Sequence, residues 1–136
     1  MKIFTHLAFN GQCAEAFRFY EKVLGGKIET LMTFGESPMA GEVGPDWQNR
    51  IIHAHLVTDG AAIMGGDAPP GTDVRPAGFC ANVQVDSIQE AERIFNALAE
   101  GGNVTMPLQA SFWAERFGML TDRFGVPWMV NGPARS

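Results

Sequence analysis

The sequence predicts an α+β fold made of one unit written twice: strand, helix, then three strands. Three observations predict it. The stretch EAFRFYEKVLGGKI, Glu15 to Ile28, returns about 75 residues later as EAERIFNALAEGGNV, Glu90 to Val104. Each copy places Glu-Ala near the start of an amphipathic helix and a Gly-Gly pair where the helix stops, and glycine supplies the left-handed turn that ends a helix. One extra residue separates the second copy from its glycines. Around both helices lie short stretches alternating at period two, the mark of strands. Finally, 136 residues are one domain's worth of chain, so the two halves are expected to share a sheet, a core or a subunit interface within a single domain.

Composition narrows the function classes. With 46% hydrophobic and 18% charged residues the chain is globular rather than disordered. A net charge of -5 without any Lys/Arg cluster speaks against nucleic acid, whose phosphates need a basic face. The opening MKIFTHLAFNG meets polar residues before a secretory core could be completed, and no apolar run approaches membrane-spanning length. A cytoplasmic protein with no membrane partner is the expectation. Cys13 and Cys80 are then free thiols rather than a staple.

Taken in order, Lys2 to Phe9 reads as a strand ending at Asn10-Gly11. Cys13, Ala16, Phe17, Tyr20 and Leu24 recur at helical spacing and mark a buried stripe. A strand over 28–34 follows, then Glu36 to Asn49, where Pro and Gly breakers without periodicity mark a long loop of the lid or partner-contact kind. Arg50 to Thr58 alternates, with Ile52, Ala54 and Leu56 on one face and His53, His55 and Val57 on the other. Asp59-Gly60 is a hairpin signal, and Ala61 to Gly66 is the returning strand. The first module thus covers 1–67 and a proline-rich linker covers 68–77.

The second module, 78–131, opens with a strand over Gly78 to Val85. Ser87 and Glu90 have the spacing of a capping box, and Ile88, Ala91, Phe95 and Leu98 form the buried stripe of the next helix. Strands follow near 104–108, 116–121 and 126–130, with Asp122 to Gly125 as the last turn and Pro133 to Ser136 as a frayed tail.

At this point LAFNGQCAEAFRFYEKVLGGKI, HAHL with DGAAIMGGDA, and the closing FWAERFGMLTDRFGVPWMVN resemble the vicinal-oxygen-chelate superfamily. That superfamily holds glyoxalase I, bleomycin-resistance proteins and extradiol dioxygenases, and the nearer likeness is to its PhnB-like branch. The resemblance spans nearly the whole chain. It implies two βαβββ modules, an eight-stranded half-open barrel-like sheet around a ligand cavity, and a homodimer. Members that do chemistry usually hold a divalent metal through one residue on the first strand and one on the last strand of each module. Carried over by position, those sites fall on His6, Met64, Cys80 and Met129. Both closing-strand positions hold a thioether where the resemblance leads to a carboxylate, and an oxygen-seeking ion prefers carboxylate and imidazole.

Other residues join the candidate site. His53 and His55 leave one strand on the same side, and with His6 they could form a three-imidazole cluster. The set His6, Cys80, Met64 and Met129 is soft, as copper sites are, although Met and free Cys are also ordinary fillers of a core. Trp113, Phe112, Phe117 and Trp128 crowd the last module, and one or two of them lining an apolar cavity would suit a planar ligand. Asn10, Asn82 and Gln84 are the polar anchors, and Arg116 offers a bidentate anion contact or a surface ion pair. No Gly-rich loop follows a strand and opens a helix, so neither a nucleotide nor S-adenosylmethionine is supported, although some PhnB-like proteins carry a methyltransferase label.

The first reading is therefore a homodimer that takes a small organic ligand through His6, Asn10, His53, Met64, Cys80, Asn82, Trp113 and Met129, with no cofactor expected. The alternative is a metal-dependent lyase, isomerase or dioxygenase in which His6 and one or both of His53 and His55 hold a divalent ion. A third reading, an interaction module, would need the cavity filled by Met64, Met129 and the aromatics.

Overall fold

The computed structural model describes residues 1–69, 71, 72 and 74–135. Pro70 and Asp73 of the expected linker, and Ser136 of the expected tail, lie outside the described residues. The chain divides into two compact units, Met1–Val74 and Arg75–Ser136.

The first unit runs β1 (Thr5–Phe9), α1 (Cys13–Leu24), β2 (Lys27–Thr33), β3 (Ile51–Thr58) and β4 (Ala61–Asp67). Its four strands form one sheet in the order β1-β4-β3-β2, with β1 and β4 parallel. The second unit runs β5 (Ala81–Gln84), α2 (Ile88–Ala99), β6 (Asn103–Gln109), β7 (Phe117–Thr121) and β8 (Pro127–Asn131). The order there is β5-β8-β7-β6, again with the first and last strands parallel. The α+β class and the doubled βαβββ plan are thus present. The hydrogen bonding forms two separate four-stranded sheets, not one closed around into a barrel.

Each helix covers one face of its own sheet. Cys13, Ala16, Phe17, Tyr20 and Val23 are the buried stripe of α1, so the stripe closes on Val23 rather than Leu24. A Cβ built on Gly65 of β4 would stand 2.6 Å from the Phe17 ring, which fixes the face carrying Leu7, Ile63 and Gly65 as the helix side. In the second unit Ala91, Ile94, Phe95 and Leu98 are buried, and a Cβ on Gly118 of β7 would stand 2.7 Å from Phe95. The helix side there carries Gly118, Leu120, Trp128 and Val130. Because successive strand residues point to opposite faces, the odd-numbered Leu7 and the even-numbered His6 are separated at once, and the same holds for Val130 and Met129.

The Gly-Gly pairs do the same two jobs in both units. Gly25 and Gly101 take φ of 73° and 74°, the left-handed turn, while a Cβ on the second glycine would meet the backbone of the strand beside it, the Val57 carbonyl for Gly26 and the Thr121 carbonyl for Gly102. The extra residue of the second copy is Glu100, which caps α2 before the left-handed glycine.

Four expectations are corrected. The strand expected over 78–85 is only Ala81–Gln84, so Phe79 and Cys80 precede it. The capping box at Ser87 is half made: the Ser87 hydroxyl accepts from the Glu90 amide at 3.1 Å, but the Glu90 carboxylate turns to Arg93 at 2.7 Å. A complete box forms instead at Thr33 and Glu36, where the hydroxyl and carboxylate serve each other's backbone amides. The expected tail is tied down as far as Arg135, with Ala134 bridged to Ala114 and the Arg135 amide donating to the Trp113 carbonyl at 3.0 Å. The loop over 36–49 is also built rather than loose. It winds through short 3-10 turns at Phe34–Glu36, Ala40–Glu42 and Pro45–Trp47, Gln48 donates to the Ala40 and Val43 carbonyls, and Trp47 lies between the Phe34 ring and the Arg50 guanidinium.

Candidate functional site

The sequence-predicted site residues fall on the faces that the helices leave open. In the first sheet, register pairs His6 with Met64, Met64 with His55, and His55 with Thr30. These four side chains therefore stand in one row across adjacent strands, about 4.8 Å apart. His53 lies two residues along β3 from His55, with ring centroids 6.5 Å apart, and Phe4 leans toward His55 at 6.2 Å. His6 is exposed, and His53, His55 and Met64 are half-buried. Asn10 lies just past the end of β1, exposed and next to Gly11.

The turn after β1 is held from the far end of the unit. Asp67, the last residue of β4 and only 5% exposed, accepts from the Gly11 amide at 2.8 Å and the Cys13 amide at 3.1 Å through Oδ1, and from the Ile51 amide at 2.8 Å through Oδ2. One carboxylate thereby satisfies orphan donors at the start of α1 and fixes the start of β3. Burial, and then the Asp67 charge, pushes the neighbouring Cys13 thiol up to about 12, so it is an inert core group.

The second sheet repeats the row with other chemistry. Asn82 pairs with Met129, Met129 with Met119, and Met119 with Met106. In the first sheet it is His6 that stands beside Met64, so the residue in the matching place of the second sheet is Asn82, and Cys80 lies one pleat before the strand begins. The position carried over to Cys80 is corrected accordingly. Next to this row Asn131 joins two side chains: its Oδ1 accepts from the Trp113 indole at 3.1 Å, and its Nδ2 donates to Asn82 Oδ1 at 2.8 Å. Asn82 is exposed and carries two further amide donors of its own. Trp113 packs edge-on against Phe117 at 4.9 Å and Phe112 at 4.6 Å. Trp128 belongs to the other face, buried with its indole N–H on Asp122 at 2.9 Å. Arg116 lies away from the row, between the Glu115 carbonyl and Glu92.

This donor set can be tested against the divalent metal of the wider superfamily. The two closing-strand positions are thioethers and the second module's opening position is an amide, so only His6 offers a ligand an oxygen-seeking ion would choose. The residues do not fit such an ion, and among the described residues no three His, Cys, Asp or Glu side chains converge as a metal site would require.

Residues 1–131 match the family model described as 3-demethylubiquinone-9 3-methyltransferase. The chain belongs to this family. The crystal structure of protein PA1353 from Pseudomonas aeruginosa is similar at 49% identity, with 97% of each chain covered and a TM-score of 0.89. A structure from Bacillus cereus, described as a putative 3-demethylubiquinone-9 3-methyltransferase, PhnB protein, is similar at 28% identity over 97% of this chain and 99% of that one, with a TM-score of 0.79. A glyoxylase/bleomycin resistance protein/dioxygenase domain from Frankia sp. EAN1pec shares the fold, at 18% identity over 100% and 93% of the two chains and a TM-score of 0.67. The Bacillus cereus structure carries the PhnB label that the sequence motifs led one to expect, and the Frankia likeness shows the glyoxalase-type fold alone.

Three functional-looking residues, Asn131, Met119 and Met106, are absent from the sequence reading. A turn at Asp122–Gly125 would pair Thr121 with Val126 and set Met119 opposite Trp128; the observed connection is one residue longer, pairing Thr121 with Pro127 and bringing Met119 opposite Met129. For Met106 there is no local signal, since register shifts flank it on both sides.

Proposed function

We propose that this PhnB-like protein binds a small, largely apolar organic molecule on the open face of its second sheet, without a divalent metal. The observation that carries the reading is the row Asn82, Met129, Met119, Met106 beside Trp113: adaptable thioethers and an aromatic wall, with one exposed amide to orient an acceptor group on the ligand. The open face of the first sheet, with His6, His53 and Met64 and with Asn10 at the strand end, is a candidate face by itself. Cys80 stands at the edge of the second face.

Methyl transfer, which the family description names, is not adopted. The strand-to-helix turn at Gly11, where a nucleotide-type binder would present its amides, has the Gly11 and Cys13 amides committed to Asp67. The rival reading is a lyase, isomerase or dioxygenase with a metal on His6 and His53 or His55. We further propose that the protein acts in the cytoplasm as a homodimer. Large apolar side chains left open, Phe112 at 90% and Ile3 at 87%, support a second copy as the partner, and no helix among the described residues is long and apolar enough to cross a membrane.

The test is native mass spectrometry of tag-free protein to find the co-purifying compound, followed by calorimetry with that compound or with planar aromatic amides. Binding should persist in EDTA and weaken by about tenfold in Asn82→Ala, the loss of one hydrogen bond with the ligand's acceptor left unmatched. Stoichiometric divalent metal that leaves on His6→Ala would replace this reading with the metal-dependent one.

A further inference from the structure

On the open face of the second sheet three methionines stand side by side on three adjacent strands, β6, β7 and β8. They are confined to that side. Where β7 and β8 face α2, the same strands carry Leu120, Trp128 and Val130, all buried, which is what a face selected for packing alone looks like. Met106 is 41% exposed, and Met119 and Met129 are half-buried, so the sulfurs can be reached from outside.

We infer that Met106, Met119 and Met129 form a binding site for a soft monovalent metal ion, copper(I) or its analogue silver(I). Neighbouring strands lie about 4.8 Å apart, and each methionine side chain has three torsions beyond its backbone. The outer two sulfurs need only lean toward the middle one to put three thioethers around a single ion. Thioether sulfur is neutral and polarizable, so it selects copper(I) and rejects magnesium, manganese and iron(II), which seek oxygen. The donor set that disqualifies the row for an oxygen-seeking metal is therefore what qualifies it for a soft one. Asn82, at the end of the row, offers an amide to an anion or water held beside the ion. The first sheet differs at the corresponding place, where a lone thioether, Met64, stands between the imidazoles of His6 and His55.

Binding moves no electrons, so the experiment needs only to keep the ion monovalent. Tag-free protein is titrated with silver(I) in chloride-free buffer, and with copper(I) held by ascorbate against a chromophoric copper(I) chelator. One ion per chain is expected, with a shell of sulfur neighbours in X-ray absorption. Met119→Leu keeps the volume and the apolar character of the face but removes the central donor. It should weaken binding by at least about tenfold, the loss that even an outer partner of a metal ligand brings. Met32→Leu, a methionine of the first unit, should leave binding unchanged. Circular dichroism establishes that each variant is folded. Absence of a bound ion, equal binding by Met119→Leu, or equal loss in Met32→Leu would overturn the inference. Organic-ligand affinity measured on the same Met119→Leu protein separates this site from the function proposed above, because that binding needs the apolar surface and not the sulfur.

Discussion

The two units share a backbone plan and differ in how their polar groups hold it. In the first, the buried Asp67 reaches from the end of β4 to the start of α1 and to the start of β3. In the second, the buried Asp122 accepts from the Phe124 and Val126 amides and from the Trp128 indole, closing the turn between β7 and β8. At the start of α2 the acceptor is Ser87, a neighbouring hydroxyl. The Asp67 bonds thus tie the first unit across its length, while these bonds of the second close single turns. A repeated fold conserves where helices and strands go, and it leaves open which side chain satisfies the backbone donors at their ends.

The largest effect should come from cutting the long tie. Asp67→Ala leaves three amides without their acceptor, two of them in buried bonds, and should destabilise the protein by about 3–5 kcal/mol, from about 1–3 kcal/mol per orphaned donor. Asp67→Asn, which keeps one acceptor oxygen, should fall between the variant and the native protein in a denaturant titration. Equal stability of Asp67→Ala and the native protein would remove the tie from the comparison.

Alkali offers a second way to load the first unit alone. Cys13 titrates near 12 in the fold against 9.0 for an unperturbed thiol, from burial first and the Asp67 charge second. The raised value means that the folded state holds this proton more tightly. Its stabilising contribution is complete below about pH 9 and is lost as pH rises toward 12, at about 1.4 kcal/mol per pH unit. Cys13→Ala should flatten that part of the pH profile, and a thiol reagent at pH 8 should label Cys80 while sparing Cys13.

The smallest effect belongs to the local cap. Ser87→Ala removes one side-chain acceptor that solvent can replace and should cost about 1 kcal/mol. A loss as large as that of Asp67→Ala would show that the second unit has a hidden long-range tie.

How much of this was legible in the sequence follows from the range of each interaction. The helices were legible, because a 3.6-residue stripe and a Gly-Gly stop are written within a dozen residues. So was one strand register, since Asp59-Gly60 sets His55 opposite Met64, whereas the turn read over Asp122 to Gly125 is one residue too short and sets Met119 opposite Trp128 in place of Met129. The parallel pairing of β1 with β4 was not, because no turn joins the two strands. Placing Cys80 where Asn82 stands was the same kind of miss, a slip along β5 that no local signal forbids. The Asp67 tie was illegible for the same reason, since its partners lie 54 and 56 residues away.

That separation has a consequence for the order in which the protein is made. When α1 leaves the ribosome, the carboxylate that completes its first turn has not yet been synthesised, so the helix stays half-formed until the whole of β4 has emerged. The second helix carries its own starting group and can wind as soon as it appears. Nascent chains stalled with residue 67 still inside the exit tunnel and with it fully emerged should therefore differ sharply in protease resistance over 13–24, and no comparable step is expected while α2 emerges.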